Sequence, residues 1–295
     1  MDKRAYLNRR LFLQSTAGMA GLAMIPVAGL SGAEKKETTV TDLPELSNFK
    51  PPVYSAWIQR EPARESADLA RKVIESATDF AWLSPGDSIL IKIALNSGNP
   101  FPATSDPWML ESLIYMLRNK GAGKILVGDQ SGVADVHWTQ ADHRGSSREL
   151  CKSAGLLDVI EKAGATPVFF EEAGYDAYIE SMPEGPHHWN QPIRIPALLG
   201  EIDHIVFAPR VSSHVMADIT AGLKLGVGFL REDSRREFHS GGEHFCAMYE
   251  EINQMPQIKS KLRLVVTSGR SVITTIGPDS GTITTPEWGL VSASE

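Results

Sequence analysis

The sequence predicts an α/β fold with a mainly parallel sheet flanked by helices on both faces. Three observations lead there. Apolar runs of strand length recur at 88–95, 124–127, 166–170, 204–208 and 262–267. Segments between the early runs carry their apolar residues at helical spacing instead. Turns containing Gly or Pro separate the two kinds of segment. Strands apolar on both faces need cover on both, which helical crossovers between parallel strands provide.

Taken in order, residues 64–80 place Ala67, Ala70, Val73, Ile74 and Ala77 on one helical face. Pro85-Gly86-Asp87 then turns the chain into the first strand, 88–95. Asp106-Pro107 supplies an N-cap and a first-turn proline for a helix that stops at Gly121. The strand 124–127 runs into Gly128-Asp129-Gln130-Ser131-Gly132. Residues 147–163 read as a helix interrupted at Gly155 and closed by Gly164, before the strand 166–170. Pro183, Pro186, Pro192 and Pro196 mark 171–200 as an irregular insertion over the surface. If 218–230 is helical, Thr220 and Lys224 share one face at i, i+4. Strands 204–208 and 262–267 extend the sheet. With 42% hydrophobic and 22% charged residues the composition is globular, and a single α/β domain is expected over 53–295.

The N-terminus carries an address. Asn8-Arg9-Arg10-Leu11-Phe12-Leu13 resembles a twin-arginine export signal, followed by an uncharged stretch to Leu30 and the small residues Ser31-Gly32-Ala33. Residues 1–33 are expected to be a removed signal, 34–52 a linker, and the mature chain to have no membrane span. The expected destination is the periplasm or the extracellular space. The twin-arginine translocase, the partner during export, carries folded proteins, which makes a cofactor a fair expectation without identifying it. Losing 1–33 removes four Lys/Arg and one Asp, taking the formal charge from -7 to -10. Nucleic acid and anionic membrane surfaces are excluded as partners on that charge. Cys151 and Cys246 alone cannot build a four-thiolate iron–sulfur cluster or an all-cysteine zinc site. Cys151, within an apolar-periodic helix, is expected in the core.

Ligands of open parallel sheets bind outside the carboxyl ends of the strands. Asn96 follows the first strand, Asp129 and Ser131 the second, and Arg210, Ser212, Ser213 and His214 the one ending at Ala208. The glycine-flanked Asp129 loop either presents backbone N–H groups to an anion or simply turns tightly. Lys224 lies among Gly222, Gly226 and Gly228, a setting for a partly buried lysine with a lowered pKa. Arg231, Arg235, Arg236, His239, His244 and Cys246 cluster next, without a zinc-motif spacing. His137 and His143 beside Asp135 and Asp142 form a further candidate metal group. The Gly-x-Ser-x-Gly elbow of a hydrolase is missing.

Several of these segments together resemble the family called domain of unknown function 362. They are Ile91-Lys92-Ile93-Ala94-Leu95-Asn96, Thr104 with Asp106-Pro107, Gly128 through Gly132, Pro209 through His214, then Thr220, Leu223-Lys224, Gly228 and His239. The resemblance implies an α/β fold and a shared polar site, and no known reaction. Departures are Ile93-Ala94 in place of a proline, Leu225 in place of an asparagine, and Ser268-Gly269 in place of Asp-Gly. The expected site therefore comprises Lys92, Asn96, Asp129, Ser131 and Arg235 as cofactor- or ligand-binding residues, with His214, Lys224 and His239 as catalytic ones. Lys224 and Arg235 would hold an anion; His214 or His239 would be a general base or metal ligand, with Asp129 as partner. Two functional classes follow: a protein whose crevice binds a metal or small anionic ligand, with or without turnover, and a non-catalytic binding, redox-partner or assembly subunit. Turnover on a metabolite panel separates them.

Overall fold

The computed structural model describes residues 52–59 and 64–295. The expected signal and nearly all of the expected linker lie outside the described residues. Seven strands form one sheet: β1 Tyr54–Gln59, β2 Ser88–Ile93, β3 Lys124–Asp129, β4 Thr166–Phe169, β5 His204–Ala208, β6 Leu262–Gly269 and β7 Trp288–Ser294. Their order is β1-β7-β6-β5-β2-β3-β4. The five strands from β6 to β4 run parallel. β7 adds to β6 antiparallel, and β1 to β7. The mainly parallel sheet is as expected, but β1 and β7 carry no long apolar run and were not anticipated. Apart from Val291, the buried positions 289–294 of β7 hold Gly, Ser and Ala.

Alternation along β2 sorts the side chains between two cores. Ile89, Ile91 and Ile93 pack with α1 Arg64–Ala77, α2 Pro107–Asn119, α3 Ser147–Ser153 and α4 Leu156–Lys162. Leu90 and Ala94 belong to the opposite core, with α5 Glu232–His239 and α6 Phe245–Ile252. Cys151 is free and fully buried in the first core, as expected; Cys246 is free and half-buried.

Helix boundaries follow local chemistry. Asp106 caps α2 by accepting from Trp108 N–H at 3.1 Å, with Pro107 in the first turn. Its carboxylate also accepts from Ser268 Oγ and Arg270 Nε, each at 2.7 Å, which pins the helix start to the end of β6. Gly155, at φ 76°, separates α3 from α4. α1 ends at Ala77 rather than 80, because Thr78 Oγ1 accepts from Phe80 N–H at 3.0 Å and turns the chain.

Two expectations are corrected. Residues 171–200 are not a surface insertion: the hairpin of Tyr178–Ser181 with Ile193–Pro196 buries Tyr178, Trp189, Ile193 and Ile195 in the second core. Residues 218–230 are not one helix. Asp218–Thr220 pairs antiparallel with Ser212–His214, and a short helix Gly222–Leu225 follows. Thr220 and Lys224 therefore do not share a helix face.

Among the described residues no helix is long and apolar enough to cross a membrane.

Candidate functional site

The loops after β2, β3 and β5 meet at the carboxyl end of the sheet. Gly132 N–H donates to Asn96 O at 3.0 Å, and Ser105 Oγ accepts from Ala94 N–H at 2.8 Å and donates to Ala208 O at 2.6 Å, so the three strand ends share one crevice. A cavity of about 290 Å³ opens there. Lys92, Asn96, Asp129, His214, Lys224, Arg235 and His239 all line it. Ser131, the eighth expected residue, is not in the lining; it is fully buried, and its Oγ has no hydrogen-bond partner among the described residues.

Strand alternation turns Lys92 away from Ile91 and Ile93 and into the crevice side. It is completely buried. Its Nζ donates to Ile93 O at 2.9 Å and lies 2.6 Å from Asp129 Oδ1. Burial lowers its pKa, and Asp129 opposes that shift. Asp129 also accepts from Leu95 N–H at 2.9 Å and Gln130 N–H at 2.7 Å. The pair is thus satisfied internally. Its closeness depends on Gly228, where a Cβ would sit 2.1 Å from Asp129 Oδ1 and 2.3 Å from Lys92 Nζ.

The Asp129 loop offers no free backbone N–H to an anion. Gln130 N–H goes to Asp129 itself, Ser131 N–H to Ser147 Oγ, and Gly132 N–H to Asn96 O. Gly128 is in β3, where a Cβ would lie 1.7 Å from Val168 O on β4. Its role is close strand packing.

Arg235 is buried and clamps backbone. It donates to Leu230 O at 2.9 Å, Gln130 O at 2.7 Å, Gly228 O at 3.0 Å and Ser131 O. Four of its five N–H groups are consumed, leaving little for a ligand. Arg210 differs. It is 1% exposed and donates through Nε to Ala103 O and through Nη2 to Pro278 O, both at 2.7 Å. Its other three N–H groups have no acceptor among the described residues. Burial lowers its pKa to about 10, with Asp279 and Asp129 acting weakly the other way.

Lys224 is half-buried and makes no hydrogen bond or ion pair among the described residues. Its Nζ stands 6.0 Å from the Phe238 ring centroid. Desolvation first, then the charges of Arg210 and Arg235, bring its pKa down to about 7. His214 accepts at Nδ1 from Met216 N–H at 3.1 Å and Ala217 N–H at 3.2 Å. Those two donors assign the neutral ring's proton to Nε2. Burial, then Lys224 and Arg210, hold its pKa at about 3. This geometry favours a donor over the expected role of His214 as base or metal ligand, since the neutral ring carries its N–H at Nε2. His239 lies at the rim, where partial burial and then Lys224 lower its pKa. Among the described residues Asn96 makes no side-chain hydrogen bond, and the buried Gln130 Nε2 has no hydrogen-bond partner. Asp135 and Asp279 stand at the exposed margin, and burial followed by Asp279 raises the pKa of Asp135.

The family is decided by the sequence of this sheet and its loops: the domain of unknown function (DUF362) matches residues 89–295. The chain belongs to the DUF362 family. Among curated proteins none matches it. Two solved structures are similar. The lactate racemase apoprotein from Thermoanaerobacterium thermosaccharolyticum has a TM-score of 0.47 at 14% identity, over 77% of this chain and 51% of its own. A protein from Thermotoga maritima has a TM-score of 0.40 at 16% identity, over 71% of this chain and 51% of its own. The DUF362 chain thus spans about half the length of either.

The remaining metal candidates of this DUF362 chain are dispersed. His137 Nδ1 pairs with Glu232 Oε1 at 2.9 Å, while Asp142 accepts from Arg144 Nε. His244 stacks on His188 at 4.2 Å between centroids. Among the described residues no group of three or more His, Cys, Asp or Glu is placed to hold a metal. Arg210, noted in its loop but not chosen from sequence, is the strongest addition. Its importance rests on spare N–H groups, which no local motif signals.

Proposed function

We propose that the cavity binds a small anionic molecule carrying a carboxylate or phosphate. The observation that carries this reading is that Arg210 and Lys224 line one cavity and neither has a carboxylate partner among the described residues. Asp129 is already matched by Lys92. An anion would complete the balance through charge-assisted hydrogen bonds from Arg210 and Lys224, with the His214 Nε2–H and Asn96 amide as neutral donors. His239, neutral at neutral pH, is the group at the rim available to accept a proton if the bound molecule reacts.

Calorimetry with inorganic phosphate and with short carboxylic acids tests this. Lys224→Met and Arg210→Met are each expected to weaken binding by about 1.5–3 kcal/mol, roughly ten- to a hundredfold in Kd. Affinity also has a predicted pH sign. The anion favours charged Lys224, whose free-state pKa is about 7, so affinity is greatest below that value and falls as pH rises through it. Unchanged affinity in both variants sinks the reading.

We also propose that the protein works outside the cytoplasm, on the strength of Arg9-Arg10 and the uncharged stretch behind them. Replacing both arginines with lysine in the full chain is expected to hold the protein in the cytoplasm. Equal export of that variant, measured by cell fractionation, would count against it.

A further inference from the structure

We infer that Lys224 forms an imine with the carbonyl of a small 2-oxo acid, whose carboxylate rests on Arg210 and the His214 Nε2–H. This deepens the anion-binding reading and depends on it. Of the cations lining the cavity, Lys92 is occupied by Asp129 and the Ile93 carbonyl, and Arg235 by four backbone carbonyls. Among the described residues that leaves one amine with no hydrogen-bond or ion-pair partner, Lys224, and one guanidinium with spare donors, Arg210, along the same cavity. Arg210 is the first of the charges acting on Lys224, so a short molecule whose carboxylate rests on Arg210 would lie within reach of the amine. At about 290 Å³ the cavity admits an acid of few carbons.

The amine is also available for attack. With a pKa of about 7, near half of Lys224 is neutral at that pH, roughly 10³-fold more than an ordinary lysine. A carboxylate on Arg210 offsets part of the repulsion that lowers this pKa, so the reaction runs best slightly above neutrality. In the step, the lysine nitrogen's lone pair forms a bond to the carbonyl carbon. Both amine protons end on the former carbonyl oxygen, which leaves as water when the C–O bond breaks. Amine and carbonyl thus give imine and one water, and no oxidant or reductant is consumed.

Incubating the full protein with pyruvate and sodium cyanoborohydride tests the inference, with intact-mass measurement and peptide mapping. The expected result is one reduced adduct on Lys224, absent in Lys224→Arg and suppressed when phosphate competes. Acetone, which lacks the carboxylate, is expected to label Lys224 at least about tenfold less. Competition by phosphate needs no variant, so it stands even where a substitution perturbs folding. Labelling that spreads equally over other lysines, or persists in Lys224→Arg, overturns the inference. If calorimetry shows that pyruvate and phosphate bind but no adduct forms, the imine is wrong and the anion site remains. If neither binds and no adduct forms, both fail.

Discussion

Asp129→Ala is expected to destabilise the protein by about 3–5 kcal/mol, among the largest losses open to a single substitution here. The change leaves the Lys92 ammonium completely buried with no opposing charge, and only the Ile93 carbonyl at 2.9 Å to receive a hydrogen bond. It also strips the acceptor from the N–H groups of Leu95 and Gln130. Asp129→Asn keeps one of those acceptors but not the charge, and should lose somewhat less. The double variant Lys92→Met, Asp129→Ala is expected to recover part of the loss, because removing both charges relieves the burial of the survivor. Urea denaturation of the wild type, Lys92→Met, Asp129→Ala and the double variant measures the coupling. A single-variant loss under about 1 kcal/mol would show that the pair is not held as the distances imply.

Arg235→Ala is expected to cost a comparable amount, about 3–5 kcal/mol, through a different cause. Its guanidinium joins the loop after β3 to the segment 228–230 through carbonyl acceptors on both. Truncation leaves those buried carbonyls without this donor. Arg235→Lys is not expected to rescue, since an ammonium cannot reach four acceptors in the planar spread of a guanidinium. Thermal melts of the two variants decide it. A lysine variant with native stability would show that charge alone, and not the fork, matters at this position.

Much of the sheet was readable because its central strands are buried on both faces and therefore apolar in unbroken runs. β7 was not, since apart from Val291 its buried positions hold Gly, Ser and Ala, which carry no strand signal. The site was readable as a set of strand-end loops, and seven of the eight chosen residues do reach one cavity. Their division of labour was not. Arg235 and Arg210 look alike in sequence, yet one spends its donors on carbonyls close by and across the crevice. The other finds acceptors among the described residues for only two, at Ala103 and Pro278, 107 and 68 residues away. The donor role of His214 was similarly hidden in the hairpin turn that brings two backbone N–H groups onto Nδ1.

The two carboxylates at the margin bear on time rather than affinity. An anion entering the proposed site would meet the negative charges of Asp135 and Asp279 as well as the positive ones of Arg210 and Lys224, which line the same cavity. On the anion-binding proposal these carboxylates would slow departure as well as arrival, and the occupant would exchange slowly for the strength with which it is held. Dissolved salt screens the exposed rim more than the buried interior. Raising ionic strength would therefore quicken turnover of the cavity's contents before it loosened their grip.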